Sequence, residues 1–297
     1  MTTPAIIATA DERVGKQTNS LHAVRGACMS HPWNTTTLTT EAEASDLLTE
    51  LRGKRWLCRG QSRRYDCLFP SIDRKPRESL SRLEKLTLER QSIDLFRATA
   101  RFFAHPGEEG ALADDLVALM VLRHYGLPTR LLDWSKAPHV AAYFAVCDYD
   151  EEDGELWTFD EPLYEQQGKQ QWKNWPNTTV DGSGSDDKFM AALTAFTREE
   201  PPDWFICGFY FPGFPRQNAQ DGVYTITAQF GRDHAQAIAH LLGDDSHYRL
   251  YVISETLKAP LLKLLRERHG IWRGSLFPDA AGAAKTANTV FDGTSAL

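Results

Sequence analysis

Apolar positions recur at helical spacing in some stretches of the chain and alternate with polar ones in others, without a strict strand–helix–strand rhythm. Thr40 makes an N-cap for EAEASDLLTELRG, acidic at its start and stopped by Gly53. Lys54–Arg59 then reads as a short strand, and Ser79–Phe103 as a long helix with an irregular leucine stripe that HPGEEG breaks. A helix from about Ala111, apolar on most sides, is ended by Gly126 and Pro128. TRLLDW is too short for a helix and reads as a strand. Ser135 caps the next helix, with Pro138 in its first turn.

GELWTFD is a strand, whereas Glu161–Ser185, rich in Gln, Asn, Trp and Gly, reads as an irregular excursion with one helical turn at most. A helix around Lys188–Arg198 follows, then strands DWFICGFYFP and GVYTITAQF, helix DHAQAIAHLLG, strand YRLYVIS, helix KAPLLKLLRERHG, and a last helix from about Pro278. The strands are of mixed polarity, which predicts an α+β fold with a mixed, largely antiparallel sheet and packed helices. The divisions expected are an N-terminal arm over residues 1–39, one domain over 40–289 and a tail over 290–297.

Composition narrows the class. The 297 residues carry a net charge of −7, which argues against a general affinity for nucleic-acid backbone. A local basic run of Arg52, Lys54, Arg55, Arg59, Arg63 and Arg64 is the exception. Five scattered cysteines without a Cys-x-x-Cys, and no His pair at zinc spacing, predict no metal site and suit a reducing compartment. Neither a secretory signal nor a span of roughly 20 apolar residues is present, so a cytoplasmic protein without a membrane partner is expected.

Chemistry concentrates at one junction. Leu119–Asp148 runs from an apolar helix through a tight turn bearing His124, Tyr125 and Arg130, along a strand, to Ser135 at the mouth of another helix. WLCRGQ at Trp56–Gln61 looks like its partner. Arg130 and Asp133 are three apart on a strand, hence on opposite faces, so at least one is structural. Arg59 has two readings: a planar fork for a phosphate group, or an internal partner of Asp133.

These stretches carry a resemblance. WLCRGQ, LFPSIDR, RHYGLPTRLLDWSKAPHVAAYFA, RQNAQDGVYTI and LFPD, in that order, resemble the FRG-domain family. The Phe-Arg-Gly of its name is here Cys58-Arg59-Gly60, an exchange that keeps an apolar side chain. The layout is also similar to that of mono-ADP-ribosyltransferases, which place an Arg or His, a hydroxyl residue and usually a carboxylate around NAD. The matching positions are Arg59, Ser135 and the Gln220–Asp221 region.

The resemblance implies NAD as co-substrate. Arg59 would take the pyrophosphate, Gly60 would allow close backbone approach beside Gln61, and Tyr125 would stack on a ring. His124 would donate to ribose or phosphate, Ser135 and Gln220 would line the pocket, and Asp221 would be the polarising carboxylate. Glu255 and Asp279 are rivals for that role, Asp279 doubling as a helix cap. In the structural alternative His124 caps helix carbonyls, Tyr125 packs on the sheet and Ser135 is only a cap.

The leading expectation is therefore an NAD-dependent ADP-ribosyltransferase of toxin or phage-defence type. It would act on a macromolecular acceptor and have a neutralising partner protein. The alternative is a non-catalytic nucleotide or nucleic-acid binding module using the basic run with Trp172 and Trp175. A hydrolase built on His124 ranks last, since no nucleophile elbow or metal motif is present.

Overall fold

Thr40 and Glu43 form a reciprocal capping box at the start of the first helix, α1 (Glu41–Gly53), where the sequence places it. The structure is a computed structural model, and it describes residues 31–101, 113–173, 196–197, 201, 206–209 and 215–288. Seven strands form one sheet: β1 (Thr35–Leu38), β2 (Trp56–Gln61), β3 (Leu131–Ser135), β4 (Gly154–Asp160), β5 (Ile206–Phe209), β6 (Gly222–Thr227) and β7 (Tyr248–Ile253). Their order is β1-β7-β4-β2-β3-β6-β5; β1 and β7 are parallel and every other pair is antiparallel. The fold is α+β with a mixed, largely antiparallel sheet, as expected.

Helices cover both faces. On one, α1, α4 (Pro138–Val146) and α8 (Glu255–His269) pack over Cys58, Leu156 and Ile253. Further along that face, α2 (Arg82–Ala100) and α3 (Asp115–His124) pack over Leu131 and Ile226. On the other, α5 (Glu161–Lys173) and α7 (His234–Leu242) bury Leu57, Trp134, Trp157 and Leu250. Three short helices, α6 (Pro215–Ala219), α9 (Arg273–Leu276) and α10 (Ala280–Asn288), gather at the β3–β6 end.

The differences from the sequence reading have local causes. The segment expected as an arm contributes an edge strand: Trp33 is buried against Trp157, donates Nε1–H to Ala235 O at 2.8 Å, and leads into β1. Residues 1–30 lie outside those described, as do the HPGEEG break and the tail. Glu161–Lys173 is a 13-residue helix rather than an irregular excursion. Asp160 caps it by accepting from Leu163 N–H at 3.0 Å, and its Gln, Glu and Lys residues are good helix formers. The remainder of the expected excursion and most of the helix around 188–198 are not among the described residues.

The seam between β2 and β3 is the shortest in the sheet. Only Cys58 and Ser135 pair there, and the strands then splay apart. Each keeps a full ladder with its outer neighbour, β2 with β4 and β3 with β6. The sheet is split near its middle, with α3 and α4 on either side of the split.

Candidate functional site

A cavity of about 300 Å³ opens over this split. Its floor is Cys58, Asp133, Ser135 and Tyr224; its walls come from α3, α4 and α6, and Phe277 closes one end. The turn after α3 sets the first wall. Gly126 stands at φ +85°, Leu127 N–H bonds Leu122 O and Gly126 N–H bonds Arg123 O, a Schellman ending only a residue tolerant of positive φ allows. It leaves Arg123 and His124, the last two helical residues, on the cavity.

Alternation sends Arg59 to the α7 face of the sheet, yet its Nη1 donates to Asp133 O across the split at 2.7 Å and lies 3.6 Å from Asp133 Oδ2. A side chain thus supplies a hydrogen bond where the ladder has lapsed. Arg123 holds the same carboxylate with two nitrogens, at 2.9 and 2.6 Å, and its Nη1 donates to Ser71 Oγ at 3.2 Å. Burial would raise the Asp133 carboxyl, but Arg123 and then Arg59 outweigh it and hold it below the usual range. Burial, with Arg123 and Arg74 nearby, pulls Arg59 down to about 9, so it remains a cation at neutral pH. Arg74, over the Tyr65 ring, is likewise lowered by burial and by Arg123. Two guanidinium groups, Arg59 and Arg123, therefore contact one carboxylate, with Arg74 behind them.

Two residues of the lining each carry a buried polar atom without a hydrogen-bond partner among the described residues: Arg59 Nε, a donor, and Gln217 Oε1, an acceptor. Gln217 is 2% exposed, and its Nε2 donates to Gly222 O at 3.0 Å. Arg216, at the edge, donates to His124 O at 2.7 Å and to Asp279 Oδ2 at 2.6 and 3.0 Å. Beyond Arg216 and Phe277 a second, more open cavity of about 770 Å³ adjoins the first.

The expected site residues divide. Arg59, Gly60, His124, Ser135 and Gln220 line the first cavity together. Gly60, however, serves packing: a Cβ there would stand 1.9 Å from Ala141 O, so the glycine admits α4 rather than a ligand. Ser135 is not a helix cap, because Ala137 is the N-cap and has no capping side chain. Its hydroxyl donates to Gln220 O at 2.7 Å and accepts from Ala137 N–H at 3.0 Å, pinning β3 to the turn before β6. Gln220 Nε2 is committed to Leu276 O. His124 shares an edge contact with Tyr125, which is 49% exposed and lines the second cavity rather than packing on the sheet.

Three candidates stand elsewhere. Gln61 is buried and donates to Glu155 Oε2 at 2.8 Å. Asp221, at φ +46°, is not on the lining; burial raises its carboxyl, while Lys136 lowers it and Glu161 raises it. Glu255 opens α8. Asp279 caps α10 as expected, accepting from Gly282 N–H at 2.7 Å, and also pairs with Arg216. Arg130 is structural, its Nε bonding Glu89 at 2.8 and 3.0 Å, so Asp133 is the residue of that pair that faces the site.

Arg123, Arg216 and Gln217 escaped the sequence reading, though each lies inside a quoted motif. A usable signal was the opposite charge at 123 and 133, on the two arms of a turn that must fold back. Among the described residues no cluster of His, Cys, Asp or Glu could hold a metal, Cys58, Cys67 and Cys147 are free thiols, and no helix is long and apolar enough to cross a membrane.

An α+β sheet split at its centre, with an arginine-lined cleft in the split, defines the class of protein by its site. Residues 54–154, from the turn before β2 to the first residue of β4, match the family model of the FRG domain. The match holds Arg59, Arg74, Arg123, Asp133 and Ser135, while Arg216, Gln217, Gln220 and Phe277 come from beyond it. No curated protein and no solved structure matches the chain.

Proposed function

We propose that the cleft binds the pyrophosphate of NAD and that the protein is an NAD-dependent ADP-ribosyltransferase. The observation that carries this reading is that two guanidinium groups of the lining, Arg59 and Arg123, share the single carboxylate of Asp133. Buried cations without equal counter-charge are costly, and a diphosphate would supply it through charge-assisted hydrogen bonds. The unpartnered Arg59 Nε and Gln217 Oε1 offer a donor for phosphate and an acceptor for a ribose hydroxyl. The HYGLPTRLLDWS segment then lines the nicotinamide–ribose end. In the reaction the ribose–nicotinamide bond breaks, its electron pair leaves with nicotinamide, and a nucleophile of the macromolecular acceptor bonds to the ribose carbon and loses its proton. Modification of an essential acceptor would be toxic, which suits a toxin or phage-defence effector restrained by a neutralising protein.

Calorimetry with NAD, followed by a nicotinamide-release assay in cell extract, tests the proposal. Wild-type protein should bind saturably, and Arg59→Ala should weaken binding roughly tenfold or more, the value of a charge-assisted hydrogen bond. Absence of NAD binding rejects the reading. A second reading, a nucleotide-binding module without turnover, draws on one observation: the carboxylate on the lining, Asp133, is clamped by Arg123. NAD binding with no nicotinamide released in any extract would favour it.

A further inference from the structure

We infer that the second cavity is the subsite for a planar heteroaromatic ring, so that the two cavities together take a nucleotide whose base and diphosphate are both held. The inference rests on the proposed nucleotide reading and adds where the ring goes. The two cavities share His124, Arg216 and Phe277 as a common wall, so a ligand with its phosphates on Arg59 and Arg123 has a direct path into the second.

The chemistry of the lining changes across that wall. The first cavity is cationic, whereas the second is built mainly from Ala, Pro and aromatic residues, with the Arg216–Asp279 pair neutralised internally at its edge. Tyr125 and Trp272 are exposed by 49% and 36%, both among the few large apolar side chains left open to solvent. Two aromatic faces beside an anion cleft suit a ring that stacks and carries little charge.

Trp272 and Phe277 are packed against their own neighbours before any ligand arrives. A Cβ on Gly274 would stand 2.3 Å from the Trp272 ring, so the glycine leaves the space in which the indole lies. A Cβ on Gly282 would stand 2.2 Å from Phe277 O and 2.5 Å from Phe277 Cβ, so α10 meets Phe277 through a glycine. Phe277 also packs edge-on to Phe144 and lies 4.9 Å beneath the Arg216 guanidinium. A rigid aromatic wall of this kind costs little to organise on binding.

Titration of wild type, Trp272→Ala, Tyr125→Ala and Arg59→Ala with inorganic pyrophosphate, and separately with NAD, separates the two subsites. Both aromatic positions are solvent-facing, so these variants should fold, and thermal melts check it. The expected result is that each aromatic variant binds NAD roughly tenfold more weakly while keeping its pyrophosphate affinity within about twofold, whereas Arg59→Ala weakens both ligands. Aromatic variants that bind NAD as wild type does, or that lose both ligands in equal proportion, would overturn the ring subsite and leave the NAD reading standing. Wild-type protein that binds neither ligand would overturn both.

Discussion

Asp133 is at once the anchor of the arginine cluster and its internal competitor. Arg123 grips it through two nitrogens, and Arg59 contacts both its carbonyl and its carboxylate. An incoming phosphate must share those guanidinium groups with it. Asp133→Asn should therefore lower stability by about 1 kcal/mol, since the carboxylate is partly solvent-exposed, yet tighten pyrophosphate binding severalfold. A thermal melt and a calorimetric titration check the two halves. Weaker anion binding would mean that the carboxylate orients the arginines more than it competes with a ligand. Arg59, His124, Ser135 and Gln220 were legible because unusual polar residues interrupt apolar runs there. The duty of each was less so. Gly60 advertised backbone freedom, and only the position of α4 tells that a helix, not a ligand, fills the space.

At the scale of elements, α4 joins the two halves of the split. Gly60 and Gly154, on paired strands, both lie under its last turns, and a Cβ at either would stand 1.9 or 2.1 Å from a helix carbonyl. Backbone against backbone cannot yield, so Gly60→Ala should cost roughly 3 kcal/mol and lower the midpoint of urea unfolding accordingly. A variant as stable as wild type would show α4 free to shift. The seam of α4 with α1 and α8 also carries a pH dependence. Burial, with His269 4.0 Å away ring to ring and Arg52 beyond, lowers His139 to about 4. Burial lowers His234 on α7 to about 3, helped by Arg59 and Arg74. Folding thus favours the neutral rings, while the unfolded chain takes up protons below its ordinary value of about 6.5. Their stabilisation is complete above that pH and drains away as pH falls toward 4. Replacing His139 with Gln should flatten the decline in melting temperature between pH 7 and 5, recovering about 1 kcal/mol; an unchanged slope would count against the assignment. Most elements were legible from periodicity and caps, but Glu161–Lys173 was not. Its glutamines look like loop composition until the Asp160 cap and the burial of Tyr164 are seen.

For the molecule as a whole, the balance of charge decides between a nucleotide and a nucleic acid as ligand. The sequence shows a basic run, Arg52 to Arg64, in a chain of net charge −7, and cannot say which of the two a partner would feel. In the fold that run is dismantled. Lys54 pairs with Glu50, Arg55 with Glu161 and Arg64 with Asp66; Arg63 lies between the Tyr65 and Tyr149 rings, and Arg59 reaches Asp133 across the split. No continuous cationic track for a phosphate backbone remains among these residues, whereas the cleft gathers cations from β2, α3 and α6, far apart in sequence. A small dianion concentrated there gains from several guanidinium groups at once; a polyanion would meet an acidic surface first. Fluorescence anisotropy with a single-stranded RNA or DNA oligonucleotide at roughly physiological salt should thus show no binding, while pyrophosphate binding persists and weakens only modestly as salt is raised. A steep loss of oligonucleotide affinity with salt would reverse that order and make the basic run, despite its local pairing, the functional surface.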